Sequence, residues 1–165
     1  MNKSSQYRLK IKQLQDIFIT IDGIWFLECE KRFGFKKTFD IDCEVWKIFG
    51  KIMMKRLKKQ QNIENNCTID EAIRILEIYY DLEGTNAIIS KVSEKEFKII
   101  VKNCIWYNNL VKSNRDQVVR CDEVDKQIYP TWFKILNEGF ELELLKSMPS
   151  GDNFCEFRVK LVNPK

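Results

Sequence analysis

Three thiols in the second half of the chain, Cys104, Cys121 and Cys155, carry the first chemical question. Each falls on a different element of an expected hairpin-helix-hairpin unit. Cys104 follows the second strand, Cys121 lies on a long helix, and Cys155 opens the last strand. If that helix packs over the sheet, the three can converge at one end. Thiolates are good ligands for soft metals, so zinc held by Cys104, Cys121 and Cys155, with Asp122 or Asp125 as a fourth ligand, is one reading. No Cys-x-x-Cys pair supports it. A nucleophilic thiol is a second reading, with Cys104 best placed just before a helix and Cys121 next, beside Arg120. A third reading is plain packing, because free cysteine behaves as a small hydrophobe. Cys29, Cys43 and Cys67 are read as packing or surface residues.

The chain has no histidine, which removes Ser-His, Cys-His and His-metal chemistry. Proton handling would fall to carboxylates, and "CDEVD", Cys121 to Asp125, supplies them. Asp122 and Asp125 are three apart on a helix, hence on one face, as a solvated acidic face, a polar pocket wall or a general acid/base. Trp106, Trp132 and Phe157 are the aromatic candidates for lining a ligand pocket, although aromatics fill cores equally well. Glu30 is expected as a buried carboxylate, with Arg56 as its partner.

These groups need positioning elements, and hydrophobic periodicity supplies them. Leu14, Ile17, Phe18 and Ile21 indicate a first helix. A second runs from Asp22, as N-cap, to a stop at Gly34. Ile41, Val45, Ile48, Phe49, Ile52, Met53 and Leu57 give one apolar face from about Asp40 to Gln60. Thr68 and Glu71 are spaced as a capping box for a fourth helix ended by Gly84. The period then changes: "TNAIISKV" and "EFKIIVK", separated by "SEK", read as a hairpin. Cys104 to Val111 is a short turn or helix. Asp116 to Asn137 is helical with a break or kink at Pro130, and Gly139 closes it. Phe140, Leu142 and Leu144 alternate with glutamates up to "MPSGDN". Cys155, Phe157, Val159 and Leu161 alternate with charged residues, so Cys155 points inward.

The expected fold is α+β: N-terminal helices plus a small antiparallel sheet, hairpin-helix-hairpin, covered on one face by helices. It forms a single domain over 1–165, with a helical part at 1–60 and an α+β unit at 67–165. The loop Gln61 to Asn66 is the best subdomain boundary. With 28 basic and 24 acidic residues, the net charge of +4 is too small and dispersed for nucleic acid. The basic run "KRLKK", Lys55 to Lys59, suits a helix C-terminus. No apolar run reaches membrane-span length, and "MNKSSQYRLKIKQLQ" has no signal-peptide core, so a cytoplasmic protein with reduced thiols is expected.

Two sets of segments carry a resemblance. "IDGIWFLECEKRFGFKKTFDIDCEVWKIFGKIMMKRLKK", Ile21 to Lys59, is similar to the opening of a family of uncharacterised bacterial and archaeal cytosolic proteins. "NCIWYNNL", "CDEVD" and "GDNFCEF" resemble the L-2-amino-thiazoline-4-carboxylate hydrolase-like group. The last phrase also resembles domains of the four-vinyl-reductase type, whose fold is shared with haem nitric-oxide-binding domains and transport-particle subunits. The resemblance implies an often dimeric protein enclosing a pocket for a small or apolar ligand, with cysteines at Cys104, Cys121 and Cys155. The lack of histidine speaks against haem. The expected function is a cytosolic small-molecule-binding module with Cys155, Trp106, Trp132, Phe157 and Asp125 at the ligand. The alternative is a cyclic-amidine hydrolase using Cys104, Cys121 and Asp122, through a thiol or a metal-bound water.

Overall fold

A computed structural model describes residues 3–162, apart from the Lys3 side chain; the first two residues of the polar lead-in and residues 163–165 of the expected domain lie outside it. The elements run α1 (Lys3–Phe33), α2 (Phe35–Gln60), α3 (Ile69–Glu83), β1 (Asn86–Ser93), β2 (Glu96–Asn103), α4 (Ile105–Lys112), α5 (Cys121–Leu136), β3 (Phe140–Lys146) and β4 (Cys155–Leu161), with a 3-10 turn at Met148–Ser150. The fold is α+β.

The four strands form one antiparallel sheet in the order β1-β2-β4-β3. Period-2 alternation works as expected. Phe97, Ile99 and Val101 of β2 stand beside Val159, Phe157 and Cys155 of β4, and all six side chains are buried. The opposite face is charged, with Lys98 bonded to Glu156 at 2.9 Å and Arg158 paired to Glu143. One greasy face and one wet face mean that helices need cover only one side. α3 and α5 do this, and α2 packs behind α5.

Helix ends follow local chemistry. Thr68 and Glu71 form the reciprocal capping box, and Gly84 ends α3 in the left-handed region at φ 87°. Gly34, at φ 78°, is the only residue between α1 and α2. Gly139 caps no helix; a Cβ there would stand 2.5 Å from the Val162 carbonyl oxygen, so its small size serves the sheet edge.

Several sequence expectations are corrected. The first two expected helices are one 31-residue helix, with Asp22 inside it and no cap there. A Cβ on Gly23 would meet nothing, so the "DG" pair interrupts nothing. α2 begins at Phe35 rather than Asp40. α5 begins at Cys121 rather than Asp116 and continues through Pro130. The carbonyl that Pro130 leaves without its helical bond belongs to Lys126, an exposed residue that water can serve. Most consequential is the face of α2. Its buried row is Thr38, Cys43, Trp46, Gly50, Met54 and Leu57, whereas Val45, Ile48 and Ile52 lie outside at 48%, 57% and 44% exposure. Glu30 pairs with Arg115 at 2.6 Å, not with Arg56, so its partner comes from the loop before α5.

α2 and α5 are joined at one notch. Trp132 lies directly over Gly50, and its indole N–H donates to the Trp46 carbonyl at 3.0 Å. The loop at 61–66 is stitched to the same helix from its far end. Cys67 N–H donates to the Leu136 carbonyl at 2.7 Å, and the Asn137 amide donates back to the Cys67 carbonyl at 2.9 Å. A Cβ on Gly50 would fall 1.8 Å from the Trp132 ring. Gly50→Ala is therefore expected to cost about 3 kcal/mol in urea unfolding, the upper range for overpacking a buried site.

Candidate functional site

A cavity of about 590 Å³ lies between α1, α4, α5 and the end of the sheet where β2 and β4 meet. Its size falls within the roughly 300–1,000 Å³ of small-molecule sites. The wall is mostly apolar, and aromatic rings frame it. Trp46 and Trp106 meet edge to face at 4.9 Å, and Tyr129 touches Trp132 at 5.2 Å and Phe157 at 5.3 Å. Ile24 and Leu27 of α1, with Lys112 and Ser113 at the end of α4, are both exposed and cavity-lining, which places the mouth between those two helices.

The sequence candidates divide around this space. Cys104, Cys121, Cys155, Trp106, Trp132, Phe157 and Asp125 all line it. Alternation aims Cys155 inward, as expected, and its Sγ accepts the Met148 amide N–H at 3.4 Å. Asp122 is not among the lining residues. It is buried at the start of α5, where both its oxygens take Arg120, at 3.0 and 2.8 Å. Burial is the largest single influence on its pKa and raises it, but Arg120 and Ser147 together outweigh burial and hold the carboxyl below its ordinary value. Asp122 and Asp125 thus have separate environments despite their spacing.

All three thiols are held protonated. Burial, then Tyr107 and Glu83 in opposing senses, leaves Cys104 pushed up to about 12. Cys155 is pushed up to about 11, chiefly by burial. Burial, then Asp125 and the other two thiols, raises Cys121 further. Cys104 caps α4 and Cys121 opens α5 beside Arg120, yet burial and the neighbouring acids outweigh those helix ends, so neither thiol is activated as a nucleophile would be. Among the described residues no three Cys, Asp or Glu side chains are gathered as a metal would require. Cys104, Cys121 and Cys155 all line the one cavity, where burial makes them a soft, neutral part of its wall.

Carboxyls are the polar feature that sequence reasoning missed. Besides Asp125, the cavity is lined by Glu83 at the end of α3, Asp22 of α1 and Asp42 of α2. Glu83 accepts the Tyr79 hydroxyl at 2.8 Å, and burial raises its pKa. Asp125 is enclosed by protein, the surface it keeps faces the cavity, and among the described residues no hydrogen bond or ion pair reaches its carboxyl. Burial first, then the Glu83 charge, puts it well above the ordinary carboxylate range. Burial raises Asp22 to about 6; burial and the neighbouring Asp22 raise Asp42 to about 7. A signal for these residues existed in the sequence. Glu83 lies one helical turn beyond Tyr79 and Tyr80, and Asp42 one turn before Trp46, on otherwise apolar faces.

A raised acid keeps its proton in the fold at a pH where the unfolded chain has lost it. Such a group contributes stability fully below about pH 4, and that contribution is lost as pH rises through about 7 for Asp42. Asp42→Asn is expected to match the wild type near pH 3.5, to gain on it as pH rises from about 4 to 7, and to exceed it at pH 8 by on the order of 4 kcal/mol in chemical unfolding.

Residues 4–161 match the model of a family of unknown function, DUF6125. Among curated proteins none matches in sequence. Among solved structures, the chain is similar to the crystal structure of a trafficking protein particle complex subunit 3 from Naegleria fowleri covalently bound to palmitic acid. The TM-score is 0.59 at 14% identity, covering 92% of this chain and 97% of that one. The resemblance to transport-particle subunits is thus upheld as a likeness of fold, while the thiazoline hydrolase kinship has no counterpart among these matches. Among the described residues no helix is long and apolar enough to cross a membrane.

Proposed function

The chain belongs to the DUF6125 family, and we propose from its cavity that it is a cytosolic small-molecule-binding module that takes an apolar, lipid-like ligand. The observation that carries this reading is the aromatic-framed cavity of about 590 Å³ with a mouth between α1 and α4. A packed interior closes such a space unless something occupies it, because each empty contact forfeits dispersion energy. The similar fold of a protein whose structure holds palmitic acid supports the same class of ligand. Hydrolysis of a cyclic amidine has no observation in its favour, since the cavity thiols are neutral and Asp122 is committed to Arg120.

Trp46, Trp106 and Trp132 all line the cavity, so their fluorescence reports occupancy. Titration with dodecan-1-ol is expected to give a saturable change with one site per chain. Val124→Phe, which narrows the cavity from α5, should weaken that binding by at least about tenfold, the loss of roughly one well-buried contact. A linear, unsaturable response in the wild type would refute the reading.

We also infer a homodimer from the outward apolar rows. Leu14, Ile17 and Ile21 of α1 are 66%, 55% and 62% exposed, and Val45, Ile48 and Ile52 of α2 accompany them. Exposed apolar surface on this scale marks an interaction face. These positions carry no charge, so a second copy can meet them without burying an unpaired ion. Sedimentation equilibrium should give a dimer at micromolar concentration and a monomer for Ile48→Glu with an unchanged circular dichroism spectrum. A monomeric wild type would rule the dimer out.

A further inference from the structure

We propose that the cavity selects an amphiphile with a basic head, an alkylamine rather than a fatty carboxylate, and seats the ammonium against Asp125 and Glu83. This inference rests on the apolar-ligand reading and adds the chemistry of the ligand's polar end.

The inventory of charge in the cavity points this way. Four carboxyl groups line it: Asp22, Asp42, Glu83 and Asp125. Two basic side chains do so as well. The Arg115 guanidinium is already bonded to Glu30 at 2.6 Å, and Lys112 is exposed at the mouth. The enclosed part therefore offers acids and no uncommitted cation. Asp125 is the most telling of them, since it is enclosed, faces the space and has no partner among the described residues. A buried polar group without a partner is costly, and the cost is relieved when a ligand supplies the missing donor. Glu83 accepts the Tyr79 hydroxyl at 2.8 Å, with Thr85 and Trp106 also acting on its carboxyl, so it is the better satisfied of the two and Asp125 is the group that lacks a donor.

The two orientations of a fatty carboxylate both fail on these grounds. With its head inward, the carboxylate can take one hydrogen bond from protonated Asp125, but it brings an uncompensated negative charge beside Glu83 into a low-dielectric space whose inner wall holds no free cation. With its head at Lys112, the alkyl tail covers the inner carboxyls and leaves Asp125 unpartnered as before. An ammonium with its head inward supplies up to three donors, and its tail lies along Trp46, Trp106 and Ile128 toward the mouth.

The surroundings of Asp125 decide the proton's fate. From α5 it faces Asp122, Cys121 and Tyr129; from α3, Glu83, Tyr79 and Tyr80; Cys104 before α4 and Cys155 of β4 complete the ring. Every titratable neighbour in that ring is acidic, so the empty cavity keeps Asp125 protonated. An alkylammonium arrives charged at neutral pH. Its arrival turns Asp125 into a carboxylate, and the proton leaves to the buffer.

The test uses dodecylamine, dodecan-1-ol and dodecanoate below their aggregation limits, by calorimetry at neutral pH in buffers of different ionisation enthalpy. Dodecylamine is expected to bind at least about tenfold tighter than the alcohol and to release about one proton, with dodecanoate weakest. In Asp125→Asn the ratio of amine to alcohol affinity should fall to about one and the proton release should vanish, whatever the absolute affinities become. Glu83→Gln should reduce the advantage without abolishing it. Equal or tighter binding of dodecanoate, or an amine preference that survives in Asp125→Asn, would overturn the proposal. If the alcohol binds and the amine binds no better, the basic-head inference fails alone. If none of the three binds, the apolar-ligand reading fails with it.

Discussion

The seating of Trp132 over Gly50 is the constraint on which the remainder of the molecule depends. An indole is large and flat, and it can lie against a helix backbone only where a side chain is missing. Gly50 supplies that gap on α2, and the Trp46 carbonyl one turn earlier accepts the indole N–H. The contact fixes α5 at one height and rotation against α2. With α5 fixed, Val124, Asp125, Ile128 and Tyr129 are turned toward the cavity, while Phe133 and Leu136 are pressed into the sheet core. The cavity is therefore a consequence of where one tryptophan is held.

Its persistence follows from stiffness. Trp46, Trp106, Tyr129 and Phe157 meet edge to face, and rings locked in such contacts cannot fold inward as leucines can. Their cost is that polar groups on neighbouring turns are trapped among them. Glu83 and Asp42 each lie about a turn from an aromatic residue that must be buried, so they are carried inside by the helices they stand on. Proton uptake is the least expensive response to that burial. The raised acids and the aromatic frame thus have one origin.

The sheet half was legible in the sequence because its physics is local. Alternation needs only the strand's own residues, so the inward aim of Cys155, Phe157 and Val159 and the pairing of two hairpins follow from period two. The Thr68–Glu71 box is legible for the same reason, as both partners lie within one turn. The helical half was less so. Periodicity shows that α1 and α2 have apolar stripes but not which stripe meets this chain. α2 carries two, and the richer one, through Val45, Ile48 and Ile52, faces outward. The buried one is marked by small residues, Thr38, Cys43 and Gly50, whose value lies in what fits against them. Pro130 does not break α5, since the carbonyl it frees belongs to Lys126 on the wet side, where water can serve it.

The same limit explains why the thiols drew attention and the carboxyls did not. A cysteine on an inward strand face announces itself in the string, yet its chemistry depends on charge supplied from elsewhere, and here the charges that raise the thiols, Asp125 and Asp122, are negative while Arg120 is taken by Asp122. Burial then keeps the sulfurs as neutral wall atoms. The carboxyls looked like ordinary solvated acids, with Asp22 resembling a cap and "CDEVD" an acidic surface. Within that pentapeptide the outcome splits over a single helical turn. Asp122 finds Arg120 and becomes structural; Asp125 finds no cation and faces the space. A charge partner two residues away is what separates a fixed ion pair from a group still able to receive one.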